Sequence, residues 1–168
     1  MNDDHSDFIE SLGPGFLAHL LRRISDELVE ADKLWNAEKE VPNPPRTAST
    51  LLALDARGAM SVTELAATLR QSHQLVQQWI AELDACGLIH TRRDPEDRRR
   101  SIVALTPRGN HEIQRLRDSI IPVAQANLDL LTEGLPGIYE ALWRIERSLR
   151  SRPFIERIRA ADRARRSE

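Results

Sequence analysis

Apolar residues recur at three- and four-residue spacing along most of the chain, which predicts a mostly helical protein. From Gly15 to Asn36 the positions Phe16, Leu17, Leu20, Leu21, Ile24, Leu28, Leu34 and Trp35 fit one amphipathic helix, preceded by a polar, partly mobile tail over 1–12. Three prolines in the five residues from Val41 to Pro45 end it, because proline lacks the amide proton a helix interior needs. Thr47 to Ala56 predicts a short helix with Leu51, Leu52 and Leu54 inward, closed by Arg57-Gly58. Ser61 with Glu64 three residues on predicts a capping box, and a helix over Val62–Leu69 comes next. After Arg70-Gln71, Ser72 is a second N-cap, opening a helix that runs to about Cys86 and closes at the C′ glycine Gly87.

The pattern then changes period. Leu88 to Thr91 and Ser101 to Leu105 read as strands flanking a charged loop, 92–100, and together they predict a β-hairpin. Thr106-Pro107 is a capping threonine followed by proline at the first helical position. The helix it starts runs to about Thr132 with a bend expected at Pro122. Leu135 to Leu149 predicts one more helix, and Pro153 interrupts the remaining C-terminal segment.

Two short helices joined by a polar turn and followed by a small hairpin have the order of a winged helix-turn-helix. On the Ser72–Cys86 helix, Val76, Trp79, Ile80 and Leu83 share one face, while Gln74, Gln77, Gln78 and Ala81 share the other. An amide side chain can pair with an adenine edge, so such a face is suited to reading bases in a major groove; on a lone helix it is equally an ordinary solvated surface. The loop holds Arg98, Arg99 and Arg100, whose charges suit phosphates and a minor groove, and Asp97 is placed to fix one of them. A solvated turn held by Asp-Pro and Arg-Asp pairs is the alternative.

A net charge of −2 does not suggest a nucleic-acid partner, but its distribution does. Residues 1–40 carry ten acids and four bases, residues 92–100 five arginines and three acids, and residues 144–168 nine arginines and four acids. Local fields of this kind steer association more than net charge does. No apolar run is long enough for a bilayer, and MNDDHSDFIE is unlike a secretory or transit leader, so a cytoplasmic location is expected without membrane attachment. The single cysteine, Cys86, excludes an internal disulfide; it reads as a small buried hydrophobe before a redox switch. The histidines His5, His19, His73, His90 and His111 lack metal-ligand spacing, and no glycine-rich phosphate loop is present, so neither a metal, a cofactor nor an enzymatic activity is expected.

From Pro44 to Gly109 the sequence resembles the MarR family of bacterial transcriptional regulators. The S-x-x-E-L-A helix start, the A-E-L-D-x-x-G-L-I close of the second helix, the D-P-E-D-R-R-R loop and the L-T-P-x-G after it carry the likeness. The resemblance implies a mostly α protein with a small β-hairpin wing: a winged helix-turn-helix over 43–106, an N-terminal dimerisation helix over 1–42 and C-terminal dimerisation helices over 107–168. It implies a homodimer on a palindromic operator in double-stranded DNA, commonly as a repressor released by a small phenolic or lipophilic effector. By position, Ser72, His73, Gln74, Gln77 and Gln78 would meet DNA from the recognition helix, and Asp97 would orient Arg99 in the wing. The sequence departs from the family where small hydroxyl residues are usual at Gln74, Leu75 and Gln77, and Glu82 adds a negative charge. Arg46 and Arg70, with the wing, are therefore expected to supply much of the phosphate affinity. Phe16, His19, Trp35 and Trp143 are candidates for an effector cleft, although core or interface positions suit them better. A winged-helix protein-interaction module that does not touch DNA is the competing class.

Overall fold

The computed structural model describes residues 7–94 and 100–166. The described residues fall into two compact units, one through Ile120 and one from Ile121 onward. The elements of the first are α1 (Phe8–Ser11), a 3₁₀ turn over Gly13–Phe16, α2 (Leu17–Glu38), a 3₁₀ turn over Pro45–Thr47, α3 (Ala48–Arg57), β1 (Met60–Ser61), α4 (Val62–Leu69), α5 (His73–Ala85), β2 (Ile89–Arg93), β3 (Ser101–Leu105) and the start of α6 (Pro107–Gly134). The second holds the rest of α6, then α7 (Ile138–Ser151) and α8 (Phe154–Arg165). No helix among the described residues is long and apolar enough to cross a membrane.

The winged helix-turn-helix order is present, with one strand that the pattern did not reveal. β1 pairs antiparallel with β3 through Met60↔Val103 and Ser61↔Ile102, so the hairpin is the outer part of a three-stranded sheet ordered β1-β3-β2. Two residues are too short for an alternating signal. At the N-terminus, α1 lies within the segment expected as a tail: Asp7 caps it through the amides of Ile9 and Glu10, and the Arg23 guanidinium holds the Asp7 carboxyl below the usual range.

A single apolar core binds the first unit together. α5 contributes Val76, Trp79, Ile80 and Leu83, α3 contributes Leu51 and Leu54, and α4 contributes Leu65. Leu88, Ile89 and Val103 bring in the sheet, while Ile113 and Leu116 dock the first turns of α6. Each fully buried aliphatic side chain stabilises the fold by about 1.5–3 kcal/mol. The Trp35 indole N–H donates to the Ser119 carbonyl at 2.9 Å, tying α2 to α6 within this unit.

The helix caps lie where side-chain chemistry puts them. The Glu64 carboxylate accepts from the Ser61 amide at 2.8 Å and from its hydroxyl at 2.6 Å, and the Glu64 amide donates back to that hydroxyl. Arg70 ends α4 in the left-handed region (φ 53), making the tight turn into Ser72, whose hydroxyl caps α5 through the Leu75 amide. Gly87 turns the chain after α5 at φ 68.

The L-T-P-x-G stretch gains a physical meaning at this point. The Thr106 hydroxyl donates to the Gly87 carbonyl and accepts from the Gly109 amide, and the Thr106 amide donates to the Leu88 carbonyl. The first turn of α6 is thereby pressed onto the start of β2. A Cβ at residue 109 would lie 2.0 Å from the Leu88 carbonyl oxygen. Alanine is ordinarily better than glycine inside a helix by about 1 kcal/mol, but a backbone overlap of this size outweighs that. Gly109→Ala is expected to cost about 1–3 kcal/mol and to lower the thermal unfolding midpoint by several degrees; an unchanged or higher midpoint would contradict the packing described.

Glu64 supplies a second check. Hydrogen bonds from Ser61, foremost that of the hydroxyl, hold its carboxyl below the ordinary value, with Arg100 adding to the effect. A depressed carboxyl contributes stability above its unfolded pKa and loses it as pH falls through the folded value. The melting difference between wild type and Glu64→Gln should therefore be largest near neutrality and shrink as pH drops below about 4. A difference that grows on acidification would show that the carboxylate is not what the cap depends on.

Candidate nucleic-acid interface

The rotation of α5 follows from its apolar stripe. With Val76, Trp79, Ile80 and Leu83 in the core, a helix of 3.6 residues per turn must turn Gln74, Gln77, Gln78 and Ala81 to the outside. All four are exposed, as are Ser72 and His73 at the N-terminal end of the helix. Among the described residues, Gln74 and Gln77 have no hydrogen-bond partner, leaving both amides available to an external surface. Gln78 differs, since its amide nitrogen donates to the Glu82 carboxylate one turn on, at 3.1 Å. His73 is held as well: its Nε2 lies 3.0 Å from the Thr63 hydroxyl, joining the starts of α4 and α5.

The hairpin projects beside this helix. Its arms pair from Ile89↔Leu105 to Arg93↔Ser101, and the Asp94 amide donates to the Arg100 carbonyl at 3.0 Å beyond the last strand pair. Asp97, Arg98 and Arg99 lie outside the described residues. Along β2, His90, Thr91, Arg92 and Arg93 are exposed, so basic side chains begin on the arm itself. Arg92 and Arg93, read from the sequence as part of the charged loop, thus belong to the end of β2.

Arg100 has an internal role that the sequence did not reveal. Its guanidinium donates to the Ser61 hydroxyl at 3.3 Å and pairs with Glu64 at 3.3 Å, with Asp94 at 3.9 Å. It thereby joins the root of the wing to the capped start of α4. Each of these exposed pairs is worth little alone, but all three act at one point, where the hairpin leaves the sheet. The signal missed was Glu64 itself: once its capping box is drawn, an acid stands opposite the hairpin's basic root.

Two further arginines were expected to meet phosphates. Arg46, in the 3₁₀ turn before α3, pairs with Asp26 of α2 at 2.7 Å. Arg70 is exposed in the turn between α4 and α5.

A cavity of about 400 Å³ opens between α2, the turn carrying Arg46, and α5. Its polar residues include Asp26, Glu30, Lys33, Arg46, Gln78 and Glu82. Phe16, His19, Trp35 and Trp143 do not line it. Phe16 and His19 are exposed near the start of α2, Trp35 carries the bond to Ser119, and Trp143 is an exposed residue of α7 in the second unit. Cys86 is half-buried against the core at the end of α5.

Comparison with known proteins agrees with this geometry. Residues 44–100 match the model of the MarR family, spanning the turn before α3, the helix pair and the hairpin through Arg100. No curated protein matches the sequence. Among solved structures, the PcaV transcriptional regulator of Streptomyces coelicolor in complex with its natural ligand is similar over 84% of this chain and 94% of its own, at 22% identity and a TM-score of 0.64. S. aureus MepR in complex with DNA is similar over 79% of this chain and 97% of its own, at 21% identity and a TM-score of 0.65. Bordetella bronchiseptica BpsR, whose DNA binding is regulated by 6-hydroxynicotinic acid, is similar over 79% and 97%, at 24% identity and a TM-score of 0.58. At these identities the structures establish a common fold. Residues 44–100 of this chain thus match the MarR family model, and the chain shares its fold with these solved structures.

Proposed function

We propose that this protein is a transcriptional regulator that binds duplex DNA, with α5 in the major groove and the hairpin loop in the neighbouring minor groove. The observation that carries this reading is the exposed amide face of α5, with Gln74 and Gln77 unpaired among the described residues, beside a hairpin whose exposed arm is basic. Ser72, His73 and Gln78 border the same face, and Asp97, Arg98 and Arg99 belong to the loop the arms support. In this reading Arg99 enters the minor groove, Asp97 orients it, and Arg100 holds the wing in place. Arg70 and, once parted from Asp26, Arg46 add phosphate contacts. MepR, which shares the fold, forms a complex with DNA.

A homodimer completes the reading. Leu17, Leu20, Leu21 and Ile24 on α2 are about half exposed, and so are Trp143, Ile145, Leu149, Ile155 and Ile158 in the second unit. Faces this apolar are seldom left to water, and the acidic N-terminal and arginine-rich C-terminal segments complement one another between two copies. Two-fold symmetry would then set half-sites about 10 bp apart. Repression relieved by a small effector is the expected output: PcaV has a natural ligand, and 6-hydroxynicotinic acid regulates DNA binding by BpsR.

The experiment is a salt titration of affinity for the bound duplex with two variants. Arg99→Ala should weaken binding and reduce the salt slope by about one unit. Gln77→Ala should keep the slope and lose about 1–3 kcal/mol of discrimination at one base pair. If neither variant changes DNA affinity, the protein-interaction reading replaces this one. Sedimentation should give a dimer for wild type and a monomer for Leu20→Glu; a monomeric wild type would remove the palindrome expectation.

A further inference from the structure

We infer that the cavity beside α5 is a site for a small organic cation with a flat apolar body, and that Glu82 is the residue that receives its charge. That such a ligand acts on DNA binding rests on the function proposed above; the site and its charge preference do not.

The cavity volume of about 400 Å³ suits a small aromatic molecule, since ligand pockets run from roughly 300 to 1,000 Å³. Val29, Pro44, Pro45, Leu75 and Trp79 provide its apolar lining. Five charged side chains also line it, and their pairing decides which ligand charge is favoured. Lys33 is bound to Glu30 at 2.6 Å, and Arg46 to Asp26 at 2.7 Å, with Arg22 also 3.6 Å from Asp26. Both cations are thus already matched. Among the described residues Glu82 has no cationic partner; its bond is to the neutral Gln78 amide at 3.1 Å. An anionic ligand would have to share a cation that is already paired with a carboxylate. A cationic ligand meets a half-buried carboxylate whose charge is uncompensated.

The same carboxylate is one turn from the surface proposed to read bases. A planar amidinium or guanidinium can engage both oxygens of a carboxylate, which would displace the Gln78 amide from Glu82 Oε1. Gln78 lines the cavity and also borders the outward face of α5. A cation bound to Glu82 therefore alters the side chain at the edge of the base-reading surface without moving the helix. A ligand of that kind favours one state of Gln78 over the other, which is the differential affinity that regulation requires.

Benzamidine is the probe, with benzoate and benzyl alcohol as the anionic and neutral controls of similar shape. Binding to the full chain without DNA is measured by calorimetry or ligand-observed NMR. Benzamidine should bind at least about tenfold more tightly than either control, and Glu82→Gln should weaken it about tenfold while the variant melts like wild type. Lys33→Ala, which frees Glu30, should leave benzamidine binding intact or strengthen it. Benzoate binding as tightly as benzamidine, undiminished benzamidine binding to a folded Glu82→Gln, or no benzamidine binding up to about 10 mM would each overturn the site. A separate titration of the protein–DNA complex with benzamidine tests the regulatory half. Weakened DNA binding in wild type but not in Glu82→Gln supports it, and full occupancy of the site with unchanged DNA affinity overturns that half while the site stands.

Discussion

The packing of one face of α5 into the core is the constraint on which the rest of the molecule depends. Val76, Trp79, Ile80 and Leu83 lie against residues from α3, α4, the sheet and the start of α6. At about 1.5–3 kcal/mol for each buried side chain, this stripe fixes the rotation of the helix far more firmly than any exposed ion pair, worth roughly 0–1 kcal/mol. The outward direction of Gln74 and Gln77 is a consequence of that burial. The hairpin is located by the same core through Ile89 and Val103, and the weaker Arg100 contacts then adjust its root. The strong interaction places α5 and the hairpin side by side; the weak ones fasten the hairpin root to α4.

Much of this was legible in the sequence because the signals were local. Ser61 with Glu64, Ser72 before its helix, Gly87 after it and Thr106-Pro107 each declare an element boundary through chemistry within three or four residues. The wheel of α5 comes from spacing and matches the burial along the helix. What escaped notice depended on partners distant in sequence. β1 exists because Met60 and Ser61 meet Val103 and Ile102. Arg100 pairs back onto α4 because Glu64, thirty-six positions earlier, is held in a capping box. The cavity joins α2, a proline-rich turn and α5, and no single stretch of sequence marks it. The helix α7 begins at Ile138, after the αL residue Gly137, where apolar spacing alone put its start at Leu135.

The charge pattern has a similar lesson. The wing arginines and Arg46 were expected to meet phosphates, yet the arginines divide their work. Arg100 fastens the wing to α4, and Arg46 fastens the turn before α3 to Asp26. Arg92 and Arg93 are exposed on the hairpin arm. Glu82, an acid on α5, lines the cavity behind that helix and accepts from the Gln78 amide. A net charge of −2 is compatible with a DNA-binding surface when the charges are sorted by the face that carries them.

The measurement closest to the central claim is selection of bound sequences from a random duplex library by the intact protein. The proposed dimer, with α5 of each copy in a major groove, predicts an inverted repeat with half-site centres about 10 bp apart, and Gln77→Ala should relax the consensus at a symmetric pair of positions. Recovery of no enriched duplex, or of a consensus lacking symmetry and indifferent to Gln77, would contradict the account.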